Sequence, residues 1–238
     1  MRIFAIGDLH LSFNDNKPMD IFGDNWKDHY KKIKNNWNEK INDEDVVLLP
    51  GDFSWAIDLD GAVKDFEYLD SLPGKKIMIN GNHDYWWTSK KKMENYLEEH
   101  GFKNIFFLKN NAAQIEKLVV VGTRGWSFTD TENGEKMHSR ELIRLENSIT
   151  YAYENFDMND KVVICMMHYP PITKSMIENG EKNPYLELLN KYNIKNCIYG
   201  HLHGKAHEEA CEGKIQNVNL KLVSSDYLNF NPIQLDIL

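Results

Sequence analysis

Five short segments carry oxygen and imidazole donors in an order that suits metal chemistry: Gly7-Asp8-Leu9-His10, Gly51-Asp52-Phe53, Gly81-Asn82-His83-Asp84, His168, and Gly200-His201-Leu202-His203. In extended backbone, residues i and i+2 point the same way. Asp8 with His10, and His201 with His203, can therefore aim both side chains into one cavity. The donors are carboxylate, amide and imidazole, with no thiolate. Such a set suits Mn²⁺, Fe or Zn²⁺ better than a structural cysteine-rich zinc site. Taken singly, Asp-x-His or Gly-Asp is an ordinary turn. The ordered co-occurrence of all five segments, which hold five of the nine histidines, is what points to a metal site.

Each segment follows a short apolar run. Strands are expected over Arg2–Ile6, Asp45–Leu49, Lys76–Ile79, Ile105–Leu108, Leu118–Val121, Lys161–Met167 and Ile194–Tyr199, with weaker ones over Ile215–Val223 and Ile233–Ile237. They are rich in Val, Ile and aromatic residues and end near Gly, Asn or Pro. Between them, Trp26, Tyr30, Ile33, Trp37 and Ile41 recur at helical spacing, as do Val63, Phe66 and Leu69. Further helices are expected around Met93–Leu97, Leu142–Tyr153 and Pro184–Tyr192. Alternating strands and helices imply an α/β fold with parallel pairing, the weaker late strands being free to pair antiparallel. Ligands in such sheets gather at the carboxyl ends of the strands, where the five segments lie.

The length fits one domain, residues 1–238. The formal net charge of −8 repels a polyphosphate backbone, and the chain shows no basic track, so a nucleic acid is a poor partner. Cys165, Cys197 and Cys211 form no CxxC pair, and their odd number suits a reducing compartment. The opening residues do not resemble a signal peptide and no apolar run reaches membrane-spanning length. A cytoplasmic location with no membrane partner is expected. Oligomeric state is not legible.

The five segments, in this order, resemble the calcineurin-like metallophosphoesterase superfamily, whose pattern is Asp-x-His, Gly-Asp, Gly-Asn-His-Asp/Glu, a lone His, then Gly-His-x-His. The resemblance implies a four-layer α/β/β/α sandwich and two divalent metal ions. By that likeness Asp8, His10, Asp52 and His203 hold one metal, and Asn82, His168, His201 and the shared Asp52 hold the other. His83 is then the acid beside the site. The implied reaction is hydrolysis of a small-molecule phosphodiester or phosphomonoester by a hydroxide bridging the metals. Protein phosphatases of that superfamily usually place Asp-Arg three and four residues after the Gly-Asp aspartate. Trp55 and Ala56 stand there in this chain, which favours a small substrate over a phosphoprotein. A nuclease, or an idle scaffold that kept the fold, are the competing readings.

Other residues lie close behind the motifs. Trp55, Trp86, Trp87 and Trp126 are candidates for an aromatic wall against the substrate, although packing beneath the loops is the commoner fate. Arg124 in Gly122-Thr-Arg-Gly-Trp126 is a candidate phosphate grip, against the alternative of a salt bridge. Asp58 and Asp84 are candidate partners for His83, and His207 is expected at the rim. The polar stretch Ile172–Asn183 is expected to form a mobile flap.

Overall fold

The computed structural model describes residues 1–15, 17–127 and 132–236. Its strands in chain order are β1 (Ile3–Ala5), β2 (Val46–Pro50), β3 (Lys75–Ile79), β4 (Ile105–Phe107), β5 (Ala113–Ile115), β6 (Leu118–Thr123), β7 (Val162–Met167), β8 (Asn196–Tyr199), β9 (Gly213–Ile215), β10 (Val218–Leu222) and β11 (Ile233–Gln234). The helices are α1 (His29–Lys40), α2 (Val63–Asp70), α3 (Lys90–His100), α4 (Glu132–Asn155), α5 (Lys174–Glu178) and α6 (Pro184–Lys191). One sheet runs β11-β1-β2-β3-β4 and the other β5-β6-β7-β8-β10-β9. Pairing is parallel inside both sheets. The strands added at the edges, β11, β5 and β9, run antiparallel to their neighbours.

Side-chain alternation decides the layering, because successive residues of a strand face opposite sides of its sheet. Ile3, Ala5, Val46, Leu48, Ile77 and Ile79 of the first sheet meet Leu118, Val120, Ile164, Met166 and Ile198 of the second in one buried cluster. The intervening residues face outward. Phe4, Val47, Leu49 and Met78 pack under Ile33 and Trp37 of α1, Phe66 and Leu69 of α2, and Met93 of α3. Val119, Val121, Cys165, Met167, Cys197 and Tyr199 pack under Leu145 and Ile149 of α4 and Leu186 and Leu189 of α6. Three apolar layers therefore separate four layers of structure, α/β/β/α. Strands buried on both faces read as continuous apolar runs, as β2 and β7 do.

Besides this face-to-face packing, the two sheets join just past the carboxyl ends of β1 and β10. The Gly7 amide donates to Val223 O, and Ser225 Oγ donates to Gly7 O at 2.6 Å. This contact places the ends of β1 and β2 beside those of β7 and β8. Among the described residues no helix is long and apolar enough to cross a membrane.

Some expectations are redrawn. Trp26 belongs to a short 3-10 turn, Asp24–Trp26, ahead of α1. The expected strand over Ile215–Val223 is a hairpin, with Gln216 and Asn217 both at positive φ, the backbone that a two-residue turn between twisted strands requires. Ile237 lies outside the described residues. The stretch expected as a flap contains α5, whose Thr173 cap accepts from Met176 N. Ser175 ties that helix to Glu209, its hydroxyl donating at 2.6 Å.

Candidate metal centre

All seven expected ligands converge where the two sheets meet. Asp8 and His10 follow β1, Asp52 follows β2, Asn82 follows β3, His168 follows β7, and His201 and His203 follow β8. Asp8, His10, Asp52 and His201 all adopt positive φ, uncommon for residues with a Cβ and costing about 1–3 kcal/mol each. That backbone turns the chain sharply at each strand end and aims the side chains inward. Gly81 and Gly200 stand where a Cβ would collide with the Asp52 and Asp8 carboxylates.

The donors form two foci. Around the first, His10 Nε2 lies 3.3 Å from His203 Nε2, and His203 Nε2 lies 3.6 Å from Asp8 Oδ1. Around the second, His168 Nε2 lies 2.7 Å from Asn82 Oδ1 and 3.2 Å from His201 Nδ1. Asp52 Oδ2 stands between them, 3.7 Å from His10 Nε2 and 3.5 Å from His168 Nε2. Its other oxygen accepts from the His83 amide at 2.8 Å. Asp8 accepts from the His201 amide with both oxygens.

Charge and tautomer fit a divalent ion. His168 Nδ1 donates to Pro50 O at 3.0 Å, which leaves Nε2 free to ligate. His203 Nδ1 donates to Asp226 Oδ1 at 2.7 Å, so Nε2 is the nitrogen turned to the first focus, where its proton would give way to a cation. Burial first, then neighbouring imidazoles, holds His10 and His201 well below the usual histidine range. Burial also lowers His168. Imidazoles kept neutral are what a metal needs. Burial opposes ionisation of Asp8, but the hydrogen bond and charge of His203 hold it low. Burial and then the charge of Asp8 push Asp52 up to about 8. Against burial, its bonds to Asp226 and Asp8 push His203 up to about 10. Protons on Asp52 and His203 thus offset negative charge at the places where cations would. Loading the site with Mn²⁺ at pH 7 is therefore expected to release about two protons, and affinity should rise with pH. Calorimetric titration in buffers of different ionisation enthalpy reads that number, and no release would contradict the ligand roles of both residues.

His83 sits beside the first focus, its ring 5.8 Å from that of His10. Its expected carboxylate partners are not there. Asp84 is buried, and its Oδ1 accepts from the amides of Phe53 and Ser54 and from Trp86 Nε1, while Oδ2 accepts from the Gly81 amide. It clamps the loops after β2 and β3 together. Asp58 is exposed and caps its own turn through the Gly61 amide. The group against His83 is Trp55, ring centroids 4.3 Å apart. Burial, then the charges of His168 and Lys17, lower His83 to about 4.

The other tryptophans divide. Trp86 is 2% exposed and packs on Phe53 and Phe66, so its expected place on a substrate wall is corrected to the core under the loops. Trp126 keeps an open face beside Tyr169, whose ring lies over His201. Arg124 bonds to the site through its carbonyl, which accepts from the His168 and Tyr169 amides. Its guanidinium is 3.8 Å from buried Glu141, and its Nε makes no hydrogen bond. The salt-bridge alternative is thus only loosely met. His207 lies at the rim with Nε2 3.3 Å from Asp226.

Two features escaped sequence reading. Asp226, which orients His203, is a lone aspartate beyond the last motif. Met19, Phe22, Trp26 and Trp55 line a cavity of about 260 Å³ with His10, His83 and His203. Trp26 reads as one more apolar helix position, and nothing in the chain marks it otherwise.

Comparison with known proteins agrees with this arrangement. The calcineurin-like phosphoesterase family model matches residues 1–205. An uncharacterized protein of Methanocaldococcus jannaschii is 31% identical over 115 residues, 46% of this chain, and the chain spans 58% of that relative's length. The structure of phosphopantetheinyl hydrolase from Mycobacterium tuberculosis superposes with TM-score 0.56 at 14% identity, covering 99% of this chain and 95% of that one. A protein of unknown function from Aquifex aeolicus gives TM-score 0.51 at 18% identity, covering 98% and 95%. At these identities the structural matches speak to the fold.

Proposed function

Since the chain belongs to the calcineurin-like phosphoesterase family, a family of metal-dependent hydrolases of phosphoester bonds, we infer that it cleaves a small-molecule phosphodiester or phosphomonoester at two divalent ions. The observation that carries this reading is Asp52 Oδ2, placed within 3.7 Å of a ring nitrogen from each focus. Asp8, His10, Asp52 and His203 would hold one ion, and Asp52, Asn82, His168 and His201 the other. Residues 1–238 act as one catalytic domain, because each ion draws on both sheets.

Such ions supply Lewis acidity and an activated water. The remaining work belongs to the chain. Pro50 O and Asp226 fix the tautomers of His168 and His203. Trp55 packs on His83 and sets its ring at the mouth of the site. Held neutral at ordinary pH, His83 would act as an N–H donor to the departing oxygen. Neutral imidazole is a sufficient electrophile elsewhere. The cavity of Met19, Phe22, Trp26 and Trp55 offers an apolar leaving group a dry surface. Arg124, with Nε unpaired, grips a phosphoryl oxygen.

The test is turnover of phosphomonoesters, diesters, cyclic nucleotides and phosphopeptides with Mn²⁺ supplied. Metal-dependent hydrolysis of small esters is expected, with phosphopeptides at least about tenfold slower in kcat/KM. No turnover of any ester despite bound metal would leave the idle scaffold. Arg124→Ala should raise KM about tenfold or more and lower kcat less, the signature of a lost charged hydrogen bond to ground-state phosphate. An unchanged KM would return Arg124 to a salt-bridge role.

A further inference from the structure

Arginine is rare in this chain. Among its 28 basic residues only Arg2, Arg124, Arg140 and Arg144 are arginines. Three of the four line one cavity of about 210 Å³, together with Lys109 and Asn80. The cavity opens at the carboxyl ends of β3, β4 and β6, under the first half of α4. Arg140 and Arg144 share one face of that helix, at i and i+4, and Glu141, three residues before Arg144, lines the cavity beside them. Asn80 is two residues from Asn82, and Arg124, whose side chain lines the cavity, accepts from the His168 amide with its own carbonyl.

Among the described residues the one acid in this lining is Glu141. It accepts from Thr123 Oγ1 at 2.6 Å, holds Arg144 at 2.5 Å, and lies 3.8 Å from Arg124. Four cations against one anion leave the cavity strongly positive in a protein whose net charge is −8. Burial and then the charge of Arg144 lower Lys109, whose Nζ donates to Thr88 O, and Arg140 has no ion-pair partner among the described residues. Lysine serves this chain wherever a solvated charge suffices. Arginine gathers here, and its planar fork suits carboxylate and phosphate oxygens.

We propose that this cavity is a second anion subsite, and that the substrate carries a further phosphate or carboxylate beyond the phosphoryl group that is cleaved. Lys109, Arg140 and Arg144 bind that distal group, and Arg124 stands between the two anions. The assignment rests on the phosphohydrolase reading for what happens at the metals, but the cavity's affinity for an anion does not.

The test therefore has two arms. Chelator-stripped protein is titrated with inorganic phosphate by calorimetry. Without metal the proton on His203 is matched by the charges of Asp8 and Asp226, so the catalytic site has no net positive charge, and the two arginine variants assign any binding to the cavity. Saturable binding is expected, weakened at least about tenfold in Arg140→Ala and in Arg144→Ala. Arg140 is exposed, so its variant remains informative if the loss of Arg144 beside buried Glu141 unsettles the fold. No binding, or binding that both variants retain, overturns the subsite. In the second arm, Mn²⁺-loaded wild type and Arg140→Ala are compared on two monoesters differing only in a distal phosphate. The kcat/KM ratio favouring the doubly anionic ester should fall about tenfold in the variant. A ratio that does not move overturns the substrate assignment, even where inorganic phosphate binds. Absence of turnover on both monoesters and on the corresponding pair of diesters overturns the phosphohydrolase reading and leaves the first arm standing.

Discussion

Asp52→Asn is expected to lose both metals together and to lower kcat/KM by at least about 10⁴, some 5.5 kcal/mol of barrier. Asp8 Oδ1 reaches His203 Nε2 and the Nδ1 of His168, but among the described carboxylates Asp52 is the one whose oxygen lies against the Nε2 of a histidine in each focus, so its charge is the one that two cations would share. The amide keeps the shape, and its oxygen can still accept from the His83 amide. What it removes is the negative charge that offsets two neighbouring cations. The measurement is metal content after Mn²⁺ loading and desalting, alongside turnover of a nitrophenyl ester. A variant that retains one metal per chain would show that the foci load independently and that Asp52 does not join them. A wild type that holds one metal or none would end the dinuclear account.

His83→Ala should leave the metals in place and slow the reaction by about 10²–10⁴, more for a poor leaving group than a good one. The His83 ring lies against Trp55, outside the ligand foci, and only its amide touches Asp52. A departing alkoxide needs a donor and a nitrophenolate hardly does. The loss should therefore be large on an alkyl ester and small on a nitrophenyl ester. The pH profile adds a second reading. As a cationic acid with its pKa lowered to about 4, His83 would make the rate fall steadily from pH 5 to 8. As a neutral N–H donor it adds no such limb. A uniform loss on both esters would mean that His83 positions phosphate, and loss of metal would make it a ligand.

The candidate metal centre is legible because its residues carry local marks. A donor just after an apolar run, with glycine beside it, is visible in a single sequence. The four-layer fold came from the likeness to a known family, whereas alternation and strand–helix order gave only the α/β class. What was hidden depends on side-chain direction. Trp55 and Trp86 both follow a motif closely, yet one faces His83 and the other is buried on Phe53 and Phe66. Asp84 looked like a catalytic partner because it adjoins His83, and adjacent residues in a tight turn point apart. Asp226 lies 23 residues from His203 and follows no strong strand. β5 has three residues with no buried side chain, too little apolar pattern to announce a strand.

The site draws Asp8, His10, Asp52 and Asn82 from the end of one sheet and His168, His201 and His203 from the end of the other. A cation bound there is a rivet through the seam. Any species that binds only the folded chain raises its apparent stability by mass action, about 2.7 kcal/mol per site at a hundred times Kd. The four left-handed ligand positions pull the other way, since each stores backbone strain. Stripped of metal, the protein should melt several degrees lower, and its two sheets should part first at the end of β1, where amide exchange would report the opening. Metal supply would then set how long this protein survives in a cell as well as how fast it works.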